Sequence, residues 1–116
     1  MSFQIVDVVG GLVTVKVGGL LTPAEHARAQ ERLVEFIPKQ GKVKALVLAQ
    51  DFQGWSKGDW SDVSFQARHD RDIEKIAFVG DPKWDDLARS FTGKGFREVR
   101  IEFFADADEA RAWLAD

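Results

Sequence analysis

Two short apolar runs, Val43-Lys44-Ala45-Leu46-Val47-Leu48-Ala49 and Ile76-Ala77-Phe78-Val79, most limit what this chain can become. Both are strand-length and rich in β-branched and aromatic residues, so they read as buried strands rather than as core helices. A segment with helical spacing lies between them. A strand, a helix and a second strand in that order close with a right-handed crossover, which makes a parallel pair within an α/β layer. Both strands release the chain at their carboxyl ends into aromatic segments. The first is Gln50-Asp51-Phe52-Gln53-Gly54-Trp55-Ser56-Lys57-Gly58-Asp59-Trp60, and the second is Gly80-Asp81-Pro82-Lys83-Trp84. In open α/β sheets that edge is where ligands bind, so the aromatic residues gathered there are the candidate site.

The rest of the chain extends the same alternation. Val6-Asp7-Val8-Val9 and Leu12-Val13-Thr14-Val15-Lys16-Val17 flank Gly10-Gly11, the signature of a hairpin with a type I′ turn. Thr22-Pro23-Ala24-Glu25 supplies an N-cap, a proline at the first helical position and the acid of a capping box. The helix it opens is expected to run to Ile37, before Pro38 and Gly41. A second helix is expected over residues 59–68, with Trp60, Val63, Ser64 and Ala67 on one face. A third starts behind Asp81 at Pro82, with Trp84, Leu87, Ala88 and Phe91 facing inward, and stops at Gly93-Lys94-Gly95. Residues 99–104 alternate like a half-buried strand. Asp106 then caps a last helix that turns Ala107, Ala110 and Leu114 inward, with Trp113 beside them.

Composition removes several classes of function. Sixteen Lys and Arg against nineteen Asp and Glu leave a net charge of -3, without the basic excess that phosphate-backbone binding requires, so no nucleic-acid partner is expected. The chain has no Cys, which rules out thiolate chemistry and disulfides and fits a cytoplasmic location. Neither a signal-peptide pattern nor a membrane-length apolar run is present, although a peripheral membrane surface needs only a local apolar patch.

Chemistry leaves little trace. His26 and His69 stand alone on separate elements, and no dinucleotide-binding Gly-x-Gly-x-x-Gly occurs. Asp51 and Asp81 follow strands at the carboxyl edge, but Asp in front of a turn or helix commonly caps backbone N–H groups. No catalytic, metal or cofactor residue is therefore assigned. Phe52, Trp60, Phe65 and Trp84 read individually as core residues. Trp55 differs, because it stands between Gly54 and Ser56-Lys57-Gly58 in what reads as a polar loop, where a large ring meets a ligand, a lipid or a protein.

Taken together, Val17-Gly18-Gly19-Leu20-Leu21-Thr22, Asp51-Phe52-Gln53-Gly54-Trp55, Gly58-Asp59-Trp60-Ser61-Asp62, His69, Ile76-Ala77-Phe78-Val79-Gly80-Asp81, Trp84 and Glu109-Ala110-Arg111-Ala112-Trp113-Leu114 resemble the SpoIIAA-like family. These are small bacterial proteins related in fold to the STAS domains of anti-sigma-factor antagonists. The resemblance covers nearly the whole chain. It implies a single STAS-like α/β domain over residues 1–116, with a mixed, mostly parallel sheet of about five strands and four helices. Anti-sigma-factor antagonists are phosphorylated on a serine in the turn after the corresponding strand, where this chain carries Gln53, which cannot accept phosphate. The fold also resembles the lipid-carrying CRAL-TRIO domains.

The expected function is thus a non-enzymatic binding domain for a small apolar or lipid-like ligand, with peripheral membrane association. Its site would be built from Asp51, Phe52, Trp55, Trp60, Phe65, His69 and Trp84, with Gly54, Gly58 and Gly80 as hinges. The alternative is a STAS-like module that docks a protein partner. A monomer or a homodimer fits either reading.

Overall fold

The computed structural model describes residues 3–35, 42–58, 70–92 and 99–115. Five strands form one sheet in chain order: β1 (Phe3–Val9), β2 (Leu12–Leu21), β3 (Val43–Trp55), β4 (Ile73–Val79) and β5 (Arg100–Phe104). β1 pairs antiparallel with β2, and every later pair is parallel. The mixed sheet with one antiparallel edge is therefore as the sequence implies. Three α-helices stand among the described residues: α1 (Pro23–Val34), α2 (Asp85–Thr92) and α3 (Ala107–Ala115). The helix expected over 59–68 lies outside them, as does any continuation of α1 beyond Glu35.

Local chemistry sets the element ends. Gly10 and Gly11 have φ of 56° and 80°, the positive pair that a type I′ turn requires. Thr22 accepts from the Glu25 N–H at 3.2 Å, and Pro23 occupies the first turn of α1. Asp106 accepts from the Asp108 N–H at 2.9 Å ahead of α3. Asp81 accepts from the Lys83 N–H at 3.0 Å, but the turn it caps is a short 3-10 helix, Pro82–Trp84, and the α-helix begins only at Asp85. The tighter turn resets the helical phase, which corrects one expectation. Ala88 is fully buried, whereas Leu87 is 54% exposed.

Register divides the sheet into two faces. Val13, Val15 and Val17 of β2 lie on one face with Val43 and Val47 of β3, Ile76 and Phe78 of β4, and Ile101 and Phe103 of β5. Crossovers that step the same way across a sheet place their helices on one face, and Arg89 of α2 lies over the Phe103 ring at 5.6 Å on this one. The opposite face carries Leu46 and Ala77, against which α3 packs Ala110 and Leu114.

That opposite face also carries a row of cations. Lys44, Lys75 and Arg100 are register neighbours on β3, β4 and β5, and all three meet the carboxyl end of α3. Lys75 Nζ donates to the Trp113 carbonyl at 2.8 Å and lies 4.9 Å above the Trp113 ring. Lys44 Nζ donates to the Leu114 carbonyl and pairs with Glu74 at 3.5 Å. The Arg100 guanidinium lies 5.7 Å from the Trp113 ring centroid. Cations suit a helix carboxyl end because the last carbonyls lack intrahelical donors and carry the negative end of the dipole.

Candidate functional site

The carboxyl ends of β2, β3 and β4 meet at the start of α1 and at the Pro82–Trp84 turn. β3 does not become a loop after Ala49, as its composition suggests; it continues beside β2 to Trp55, ending at the pair Leu21–Trp55. The Ser56 N–H then donates to the Leu21 carbonyl at 2.8 Å. Continuation requires β-bulges. Between paired positions, β2 advances from Val17 to Gly19 while β3 advances from Ala49 to Phe52, and again from Gly19 to Leu20 against Phe52 to Gly54.

Glycine makes this geometry available. A Cβ on Gly18 would lie 2.8 Å from the Gln50 carbonyl oxygen, closer than a methyl group can approach. Asp51 sits at φ 51°, a left-handed conformation that Asp tolerates better than most residues, and Gly54 sits at φ 97°. The outcome is a two-layer strand end. Phe52 and Gly54 are buried, while Gln50, Asp51 and Gln53 are exposed.

Beneath that polar crest lies an aromatic base. Phe52 joins Val17 and Leu21 in a buried cluster, with Val47, Ala49, Trp55 and Trp84 packed around it. The Phe52 and Trp55 centroids are 4.9 Å apart with planes at 89°, Phe52 and Trp84 are 5.3 Å apart at 64°, and Trp55 and Trp84 are 6.1 Å apart at 82°. Each edge-to-face pair contributes roughly 0.5–1.5 kcal/mol beyond simple burial. Trp84 is delivered by the 3-10 turn, closed by its own N–H donating to the Asp81 carbonyl at 3.0 Å. Its ring rests on the backbone of Gly54, where a Cβ would come within 3.1 Å. Lys83 Nζ covers the same ring at 5.3 Å.

Four of the seven residues singled out from sequence are therefore placed at this edge. Phe52, Trp55 and Trp84 form one cluster, and Asp51 stands on its outer side. Trp60, Phe65 and His69 lie outside the described residues. The expectation that Trp55 is a loop residue short of partners is corrected: it ends β3, half-buried, in ring contact with Phe52 and Trp84. Asp81 is a cap, as local chemistry favours. Gln53 was legible only as a missing phosphorylation position, and its exposure follows from the bulge that Gly18 and Gly54 permit. Among the described residues no group of His, Asp and Glu is arranged to hold a metal ion, and no helix is long and apolar enough to cross a membrane.

His26 lies in the first turn of α1, its N–H donating to the Thr22 carbonyl at 3.0 Å. Burial holds the imidazole below its ordinary pKa of 6.5. Because the folded state resists protonation, the unfolded chain binds more protons below that value. Stability is therefore unaffected by this group above pH 6.5 and falls as the pH drops from there through the folded value. His26→Gln should flatten that part of the curve. Urea midpoints for both proteins at pH 7.5 and 5.5 measure it, and an unchanged difference between the two pH values would show that the imidazole is equally solvated in both states.

A sequence model described as SpoIIAA-like matches residues 12–115. Among curated proteins none matches. Among solved structures, an uncharacterized protein from the DUF3478 family of Shewanella loihica PV-4, described as having a SpoIIAA-like fold, superposes with a TM-score of 0.76. The superposition covers 97% of this chain and 94% of that one, at 20% sequence identity.

Proposed function

Because the chain belongs to the SpoIIAA-like family, matched from the start of β2 to the end of α3, we propose that it is a non-enzymatic docking module whose binding surface is the bulged end of β3. One observation carries this reading: exposed polar residues held in a constrained backbone above a packed aromatic base. Asp51 and Gln53 project from a strand whose neighbouring residues, Phe52 and Gly54, are locked beneath them. Strained backbone at an exposed position persists only where the surroundings enforce it, and such positions concentrate at binding sites. A rigid support lets polar groups bind without first losing conformational freedom. The STAS-like fold supports a protein as the partner.

Affinity capture with the wild-type chain and with Asp51→Lys and Gln53→Ala variants tests this reading. Both side chains are exposed, and Lys in the left-handed backbone of position 51 costs only about 1–2 kcal/mol, so the fold should survive. A stoichiometric partner held by wild type and lost with Asp51→Lys is the expected result. An identical captured set from all three proteins would remove the β3 end from consideration.

A second reading places a small apolar or lipid-like ligand at the same edge. Its support is that Trp55 and Trp84 are only half-buried, so two rings of the cluster keep a solvent-facing edge. Native mass spectrometry of protein purified without detergent, followed by organic extraction, separates the readings. A bound apolar molecule at near-equal stoichiometry favours the ligand, and vesicle binding lost with Trp55→Ala extends it to a membrane surface.

A further inference from the structure

The two faces of the sheet are finished differently at the β1–β2 hairpin. On the face shared with α1 and α2, the β2 residues Val13, Val15 and Val17 are buried. On the other face α3 lies over β3, β4 and β5, and the hairpin presents Gln4, Asp7 and Val9 of β1 beside Leu12, Thr14 and Lys16 of β2. Gln4, Asp7, Val9 and Lys16 are exposed, Val9 by 63%, while Leu12 and Thr14 are half-buried. Asp7 and Lys16 form no ion pair among the described residues. They stand diagonally on this face, since Asp7 is opposite Thr14 and Lys16 is opposite Gln4.

We propose that this bare half-face is the interface of a twofold homodimer. The charges select the occupant. A dimer about a twofold uses the same patch on both copies, so the patch must complement itself. An axis lying in the plane of the face, midway between Asp7 and Lys16, sets Asp7 of each copy over Lys16 of the other. One acid and one base placed diagonally thus satisfy each other twice in a pair of identical chains. Val9 and Leu12 supply apolar area beside the charges, and Thr14 and Gln4 fall near the axis, where each can hydrogen-bond across it. The interface uses neither the β3 bulge nor the aromatic cluster, so the surface proposed above for a partner stays free in both copies.

Sedimentation equilibrium and native mass spectrometry over a concentration series test the dimer, using the full chain and two charge swaps, Asp7→Lys and Lys16→Asp. Wild type should dimerise. Each swap alone faces like charges across the axis twice and should raise the dimer dissociation constant at least about tenfold, since opposed like charges cost several kcal/mol at an interface. Mixing the two swapped proteins should restore association as a heterodimer, because each then offers the charge the other lacks. A wild-type chain that stays monomeric at about 200 µM, well above the micromolar range of a weak specific complex, overturns the proposal. So does a dimer that both swaps leave intact, or a mixture that fails to associate.

Discussion

Lys75→Ala is expected to lower the unfolding free energy by about 3–5 kcal/mol, from the sum of a buried cavity and stranded polar groups. Lys75 is 1% exposed, on β4 between β3 and β5 and beneath the last turn of α3. Its aliphatic stem fills space that Ala would leave empty, and its Nζ supplies the donor for the Trp113 carbonyl at 2.8 Å. Without it, that carbonyl faces the sheet with no backbone donor, because the helix ends there. Lys75→Met separates the contributions: it keeps the volume and removes the donor and the contact with the Trp113 ring, so about 1–3 kcal/mol should be lost. For a domain whose total stability is of order 5–15 kcal/mol, the Ala variant should show a markedly lower urea midpoint and an early loss of α3 in hydrogen exchange. If Lys75→Ala unfolds within about 1 kcal/mol of wild type, the amine is not what holds the helix.

Lys75 also marks where sequence reading stops. Ile73-Glu74-Lys75-Ile76 reads as the approach to a strand, because nothing local shows that an amine in it is buried. Its partner is a carbonyl on a helix that packs across the sheet, and only the register of β3, β4 and β5 aligns it with Lys44 and Arg100. The legible features are the ones with short-range causes. Thr22, Asp81 and Asp106 bond N–H groups two or three residues away, and Gly10-Gly11 joins adjacent strands, so their patterns are complete within a few residues. The parallel pairing of the later strands follows from their alternation with helices, which is also sequential.

The end of β3 hides its strand character for a different reason. Gly54-Trp55-Ser56-Lys57-Gly58 has the composition of a loop, yet the backbone stays paired to Leu21 because Gly18, on the neighbouring strand, leaves room for the Gln50 carbonyl. A glycine that admits another strand looks the same in sequence as one that breaks its own. Leu87 faces solvent for a smaller cause: one 3-10 turn at Pro82–Trp84 rotates the helix that follows.

Gly54→Ala should destabilise the protein by about 2–4 kcal/mol, combining the strain of a positive φ with an overpacked contact. The φ at Gly54 is 97°, and the added methyl would come 3.1 Å from the Trp84 ring. Gly19→Ala is the comparison that separates the two causes. Gly19 also has a positive φ, 64°, but a Cβ there meets nothing within 4 Å, so it carries backbone strain without the ring contact. Gly54→Ala should therefore exceed Gly19→Ala by at least about 1 kcal/mol, the lower end of the overpacking range. It should also alter the near-ultraviolet circular dichroism, because Trp84 must leave its edge-to-face contacts with Phe52 and Trp55. Trp84→Leu in the Gly54→Ala background removes the obstructing ring. The double variant should then fall short of the sum of the single losses, with the shortfall measuring the contact itself. Equal costs at Gly19 and Gly54, together with strict additivity, would mean that the Trp84 ring does not rest on β3. The polar crest of Asp51 and Gln53 would then lack the rigid base on which its proposed docking role depends.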